Sequence, residues 1–381
     1  MKISLSRSIF YLTTWGYLLV NITIAWVPQL NLPLMALRES WILLLTIYLV
    51  QQKCFLSLYV IIFLAIFGLI PILFDFSMGI QLISYVYGFR DVFLIILIVE
   101  LTVRSKPFSI RKSEIYFFIY FVMALSLLDI VITNILGMSY VHDIFRVDDY
   151  YLNKGVEINL SNGFLGDRVG APLYSPNLLC TLLALFFFFD RRLLVRGFWI
   201  KFLSLLICFF TMTKVIIVAL GFQLLGSRWK FVVILSLLSI YPLYIAIDLI
   251  YRSLDMGLMK YHLASTLGHL HAFVYTIEEG LFSFIPEGFG SNSIMMKVAL
   301  GIEGEGIEST ILARLSELKM YFSILFFYIL HSLYRCEFDL ERKFIVFVFI
   351  IMLLTATSNQ PVAYVPFIFL LSIVKNEKFR I

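Results

Sequence analysis

Long apolar runs recur along the chain, at roughly 8–27, 34–51, 55–74, 80–103, 114–136, 171–189, 198–226, 230–250, 318–334, 343–357 and 361–374. A helix needs about 20 residues to cross the hydrocarbon core of a bilayer, and most of these runs are of that order. Soluble domains are about 45–50% apolar and about 25% charged. This chain is 61% hydrophobic and 14% charged, with mean hydropathy +0.94. A soluble protein of this length could bury a core, but it could not keep so much Leu, Ile and Phe in solution. The sequence therefore predicts an all-α polytopic integral membrane protein, with a single membrane domain over 1–381. The first run ends at Trp26-Val27-Pro28. It is longer than the core of a signal peptide and lacks a small-residue cleavage site, so it is expected to be a transmembrane helix.

The net charge of +5 does not point to nucleic acid, because the basic residues gather in short loops between apolar runs. Arg104, Lys106, Arg111 and Lys112 mark one loop as cytoplasmic, and Arg191, Arg192 and Arg196 mark another. The run 198–226 is too long for one untilted crossing. A single crossing would also put Arg228 and Lys230 outside and the segment 251–317 inside. Splitting it at Thr211-Met212-Thr213-Lys214 places every basic loop, and the tail with Lys375, Lys378 and Arg380, on the cytoplasmic side. The expected topology has about twelve transmembrane helices and both termini in the cytoplasm. Two larger extracytoplasmic loops, 137–170 and 251–317, face the other side, and Lys214 sits at an outer turn. The four cysteines, Cys54, Cys180, Cys208 and Cys336, fall inside apolar runs or beside basic loops. No disulfide framework is expected.

Charges inside membrane helices usually mark a pathway, a pair or a site. Arg38-Glu39 lies near the outer end of the second helix, and Arg90-Asp91 near the middle of the fourth. Either each charge finds a local partner or reaches the interface, or it serves a site. The depth of Arg90 favours an interhelical or functional role. Asp129 and Asp248 read as interfacial. Arg168 ends the first large loop, in the irregular stretch Gly166-Asp167-Arg168-Val169-Gly170-Ala171-Pro172. Irregular backbone at membrane depth must be enclosed by protein or line a wet cavity. A guanidinium there matches phosphate oxygens, and Lys214 would add a second positive charge; anchoring at the membrane interface is the alternative for both.

The 251–317 loop carries His262, His269 and His271 on a helical-looking stretch. Residues two apart on a helix face different ways, so His269 and His271 do not make a zinc pair. No clustered acidic ligands accompany them, and neither a metal nor a cofactor is expected. The patch Pro286-Glu287-Gly288-Phe289-Gly290-Ser291-Asn292-Ser293 lacks the Gly-Lys-Ser/Thr ending of a phosphate-cradling loop, and its Gly288–Ser293 part reads as a turn. Glu308 precedes Ser309-Thr310 at a helix start, where a carboxylate suits the helix dipole. The functional alternative is a carboxylate that takes a proton from an attacking hydroxyl. Arg314 would pair with it or bind an anion.

Taken in order over roughly 80–375, these elements resemble the Wzy-type O-antigen and exopolysaccharide polymerases of the O-antigen ligase/polymerase superfamily. The resemblance rests on Asp167-Arg168-Val169-Gly170 with Pro176-Asn177, on Thr211-Met212-Thr213-Lys214, on Gly268-His269 with Pro286–Gly290, and on Glu308-Ser309. Arg252 and Gly268 also match an Arg-to-Gly spacing described for some polymerases. Two departures stand out. Lys214 replaces the usual Arg, and Lys319-Met320 stand where the family has a Gly after the Glu-Ser helix start. The His-Asn type motif of the ligases is missing from the large loop, which favours a polymerase.

The resemblance implies a GT-C-like helical fold in the bacterial inner membrane. It also implies a glycosyltransferase that joins undecaprenyl-diphosphate-linked glycans at the periplasmic face, with a chain-length regulator protein as a further partner. In that reading His269 and Glu308 are the candidate bases. Arg90, Arg168, Lys214, Arg252 and Arg314 are the candidate cations for a leaving diphosphate. The rival classes are an O-antigen ligase and a flippase for lipid-linked oligosaccharides.

Overall fold

The computed structural model describes residues 4–74, 78–104, 110–138, 172–188, 198–211, 213, 215–225, 228–253, 258–280, 283–290, 309–354 and 361–378. Each of the apolar runs falls on helix, and no strand occurs among the described residues. In chain order the helices are α1 (Leu5–Trp26, with a π-type turn at Leu12–Gly16), α2 (Asn31–Glu39), α3 (Trp41–Gln51), α4 (Phe55–Phe74) and α5 (Met78–Val103). They continue as α6 (Lys112–Asp129, extended by a π-type turn at Ile130–Ile135), α7 (Pro176–Phe188), α8 (Phe198–Thr211), α9 (Val215–Leu225) and α10 (Trp229–Ser253). The last are α11 (Leu258–Tyr275), α12 (Thr310–Leu318), α13 (Phe322–Arg335), α14 (Asp339–Leu354) and α15 (Val365–Lys378). Among the described residues, Leu5–Trp26, Pro33–Gln51 and Lys112–Ile135 are long and apolar enough to cross a membrane. Several shorter apolar helices accompany them. This is the helix inventory of a membrane protein.

α5 is the hub. It packs against α3, α4, α13, α14 and α15, and Val92, Leu94, Ile95, Ile96, Leu97 and Ile98 are all fully buried. A helix that is apolar all round has no polar face to turn outward, and enclosure by other helices suits that pattern. Apolarity alone does not distinguish a helix shielded by protein from one facing lipid, and packing here makes α5 the former. By contrast, Tyr59, Ile62 and Ile66 of α4 and Phe326, Phe327 and Leu330 of α13 are exposed.

Polar ties fasten one end of the hub. Glu100 accepts hydrogen bonds from Ser57, from the Tyr328 hydroxyl at 3.2 Å and from Arg104 Nε at 2.6 Å. Lys375 Nζ donates to the Val103 carbonyl at 2.9 Å and pairs with Glu341 at 2.9 Å. A lysine at the last carbonyls of a helix satisfies orphan acceptors and complements the dipole.

The long run 198–226 does break. α8 ends at Thr211 and α9 begins at Val215, and the two helices both pack against α7. Their other neighbours differ: α8 touches α6, and α9 touches α14. Thr211 and Thr213 approach each other at 3.3 Å through their hydroxyls at the break.

Candidate functional site

Among the described residues, a connected series of charges runs between α1, α2, α5 and α12. It begins at Asn21 on α1, whose Oδ1 accepts from Arg38 Nη1 at 2.9 Å. Arg38 Nε and Nη2 both donate to Glu39 Oε1, at 3.0 and 2.9 Å. The same oxygen accepts from Arg90 Nη1 at 3.1 Å, and Glu39 Oε2 accepts from Trp41 Nε1 at 3.0 Å. Arg90 Nε lies 4.0 Å from Asp91 Oδ1. Asp91 Oδ2 lies 3.6 Å from Arg314 Nε. Arg314 then closes a two-pronged pair with Glu317, at 2.6 and 3.1 Å.

Each partner arrives through ordinary helix geometry. Arg314 and Glu317 stand three apart on α12, a spacing that puts side chains side by side. α12 starts where it does because Ser309 caps it: its Oγ accepts from Leu312 N–H at 3.3 Å. Every residue from Thr310 to Leu318 is buried, so the pair has protein rather than lipid around it. Arg38, Arg90, Asp91, Arg314 and Glu317 are all less than a tenth exposed. Removing such charges from water is expensive unless opposite charges and hydrogen bonds compensate. Here three guanidinium groups alternate with three carboxylates. Rings add to the balance: Arg38 lies over Tyr17 at 5.1 Å and Arg314 over Phe289 at 5.8 Å.

The turn Pro286–Gly290 covers the α12 end of this series. Gly288 and Gly290 take φ +91° and +87°, values a glycine adopts without steric penalty. Between them Phe289 is driven into a slot between α4 and α5. The slot exists because Gly68 and Gly88 have no side chains. A Cβ on Gly68 would stand 2.1 Å from Phe289 Cδ2, and one on Gly88 would stand 2.0 Å from Arg314 Nη1. The turn is also held by its backbone. The Glu317 carbonyl accepts from Glu287 N–H at 2.9 Å and Gly288 N–H at 3.3 Å, and Met320 N–H donates to the Ser283 carbonyl at 3.3 Å. An ion pair completes the attachment, with Lys319 Nζ 2.6 Å from Glu287 Oε1. Lys319 itself has φ +54° and ψ −133°, the mirror image of ordinary extended backbone. For a residue with a side chain such a conformation costs about 1–3 kcal/mol.

The sequence-level candidates divide accordingly. Arg90 and Arg314 are brought together, bridged by Asp91, and Arg314 pairs with Glu317. Arg252 is elsewhere: its side chain is 74% exposed and pairs with Asp248 one turn back at 2.8 Å. His269 lies on α11, but its side chain lies outside what is described. Arg168, Lys214 and Glu308 also lie outside the described residues. Asp129, read as interfacial, is fully enclosed by protein and accepts from Thr133 Oγ1 at 3.0 Å. Arg38 and Glu39, for which a local pairing and a role in a site were both open, form the link between α1 and Arg90. Glu317, Phe289 and Lys319 were not candidates at all. The three-residue spacing from Arg314 to Glu317 was the available signal for the first of them. Comparison with protein-family models, with curated proteins and with solved structures finds no match to this chain.

Chemically, the cluster is suited to anions. A guanidinium fork matches the paired oxygens of carboxylate and phosphate alike. Asp91 and Glu317 already balance Arg314, so an anionic ligand there has to displace a buried carboxylate that must then be protonated or find another partner.

Proposed function

We propose that the chain is a membrane glycosyltransferase that polymerises undecaprenyl-diphosphate-linked oligosaccharide repeats into O-antigen or exopolysaccharide. In this reading about twelve helices cross the bacterial inner membrane, both termini are cytoplasmic, and the segments 137–170 and 251–317 face the periplasm. A sugar hydroxyl of one lipid-linked glycan attacks the anomeric carbon of another, and undecaprenyl diphosphate leaves. The leaving group needs positive charge that is fixed before the reaction begins, and the hydroxyl needs a base. Arg314 and Arg90 are the cations that the fold gathers. Arg168, Lys214 and Arg252 are further candidates from the sequence motifs, and Glu308 and His269 are the candidate bases.

The observation that carries this reading is the docking of the Pro286–Gly290 turn onto Arg314. Two motifs of the resemblance, the Gly-x-Gly turn and the helix that follows Glu308-Ser309, lie far apart in sequence from Arg90 and Asp91. They nevertheless converge on those residues. Their meeting at candidate cations is what supports the reading. A flippase remains the rival, since buried charge near the middle of a bundle also suits a transport path.

The deciding experiment supplies purified protein with a lipid-linked repeat unit and reads product chain length without any ion gradient. Lengthening supports the polymerase. Movement of intact substrate across the bilayer without lengthening overturns it in favour of transport. Arg168→Ala should abolish lengthening while the protein still inserts, and wild-type chain lengths in that variant would remove Arg168 from the site.

A further inference from the structure

We propose that Lys319 is an exchangeable anion-binding side chain. Glu287 holds it while the site is empty, and a phosphate-bearing ligand takes it on binding, which releases the 283–290 strap from Arg314. The inference rests on the proposed function for its choice of ligand, but not for its mechanics.

Three observations converge on Lys319. Its backbone occupies a conformation natural to glycine. Outliers of this kind persist where the surrounding structure holds them, and they cluster at sites and switches. A structural corner alone would be better served by glycine, so the side chain is the reason for the lysine. That side chain is buried and bonded at 2.6 Å to Glu287, whose own side chain is 43% exposed. The buried partner is thus the cation, and the partner open to exchange is the carboxylate.

Finally, the strap that carries Glu287 also carries Phe289, and Phe289 lies against Arg314. Moving the carboxylate off Lys319 removes an ion pair between the strap and the α12–α13 corner. The ties that stay include the backbone hydrogen bonds to Glu317 and from Met320 and the Phe289 ring against Arg314. A phosphate oxygen at Lys319 would supply the same charge and hydrogen-bonding capacity as the carboxylate it displaces. It would then lie at the edge of the strap that shields Arg314, so binding and uncovering are one event.

The test uses the full chain in nanodiscs, with inorganic pyrophosphate as one probe and phosphatidylglycerol in place of phosphatidylcholine as the other. Two readouts are taken: binding by calorimetry, and hydrogen exchange of the Glu287 and Gly288 amides that donate to Glu317. Lys319→Gly is the informative variant, because it relaxes the backbone while removing the cation. The expected result is an unchanged or higher Tm with binding weakened about tenfold or more, the scale of one lost charge-assisted hydrogen bond. Glu287→Gln should do the opposite, tightening binding and speeding amide exchange without ligand. Faster exchange on adding pyrophosphate supports a diphosphate as the ligand. Faster exchange with phosphatidylglycerol alone supports the same exchange with a lipid headgroup as its source. A response to neither, or wild-type affinity in Lys319→Gly, overturns the proposal. Anion-triggered release in a protein that never lengthens glycans would leave this inference intact and overturn the proposed function. Full polymerisation by Lys319→Gly would do the reverse.

Discussion

At Gly68 a hydrogen atom decides whether the turn can dock. Phe289 would overlap any Cβ there, and overpacking a filled site typically costs about 1–3 kcal/mol. Gly68→Ala should therefore lower stability by that order, read as a fall in Tm in detergent. The companion Phe289→Ala should cost about 3–5 kcal/mol through the cavity it leaves. Combined, they should cost clearly less than the sum, because the alanine methyl then occupies space the ring has vacated. Additive losses would show that the ring does not sit in the Gly68 slot. The residues of this contact were legible only in part. The turn expected over Gly288–Ser293 begins with positive φ at Gly288 and Gly290, while its Ser291–Ser293 part lies outside the described residues. Nothing local to it could reveal a slot made by glycines on α4 and α5, since a missing side chain leaves no pattern in the sequence.

Cys336, in the connection between α13 and α14, is a second case at this scale. It is 2% exposed, and burial followed by the nearby Glu341 carboxylate pushes its thiol up to about 11, against the opposing pull of Lys375 and Arg342. An ordinary thiol loses its proton near about 8.5. With the folded value above the unfolded one, the stability this group contributes is fully present at neutral pH and is lost as pH rises towards about 11. The thiolate is the reactive form. Maleimide labelling of a variant retaining only Cys336 should be slow at pH 7 and should keep rising with pH beyond 9. A plateau near pH 9 would contradict the burial.

Among the elements, the break between α8 and α9 shows how far charge bookkeeping reaches. Length alone made 198–226 ambiguous, and the positions of Arg228 and Lys230 argued for splitting it into two crossings. The fold has two helices there, both against α7, and on which side their turn lies is a separate question. The same reasoning could not rank α5 above its neighbours, because the unbroken apolar stretch Val92–Val99 gives no face to read. Nor did it show that the 251–317 segment contributes a wholly buried helix, α12, whose Arg314 pairs with Glu317 on the same helix and also reaches Asp91 on α5. The topology is open to a direct check. With Lys214→Cys in a background lacking other cysteines, a membrane-impermeant thiol reagent should label from the periplasmic side of intact cells. Labelling only after the inner membrane is permeabilised would put the turn in the cytoplasm and reverse the side assigned to 251–317.

For the whole molecule, the series Asn21–Arg38–Glu39–Arg90–Asp91–Arg314–Glu317 ties the N-terminal helices to the hub and the hub to α12. Asn21, Arg38-Glu39 and Arg90-Asp91 come from three separate apolar runs and Arg314 and Glu317 from the 251–317 segment, so the sequence displayed the charges but not how the segments pair. An alternating series differs from a set of isolated pairs in how it fails. Removing Glu39 strips a shared partner from both Arg38 and Arg90. Breaking one side of a buried pair typically costs about 3–5 kcal/mol, because the remaining charge is left without compensation. Glu39→Ala should therefore be among the most damaging single changes in the protein. Arg252→Ala, which breaks an exposed pair, should cost no more than about 1 kcal/mol. Removing one charge of each sign should be gentler than removing one alone, so Glu39→Gln with Arg90→Gln should melt higher than Glu39→Gln by itself. Ionic strength should leave these differences largely unchanged, since buried pairs are poorly screened. If the double variant melts lower than both single ones, the charges act independently, and the ends of the series are not coupled through Glu39.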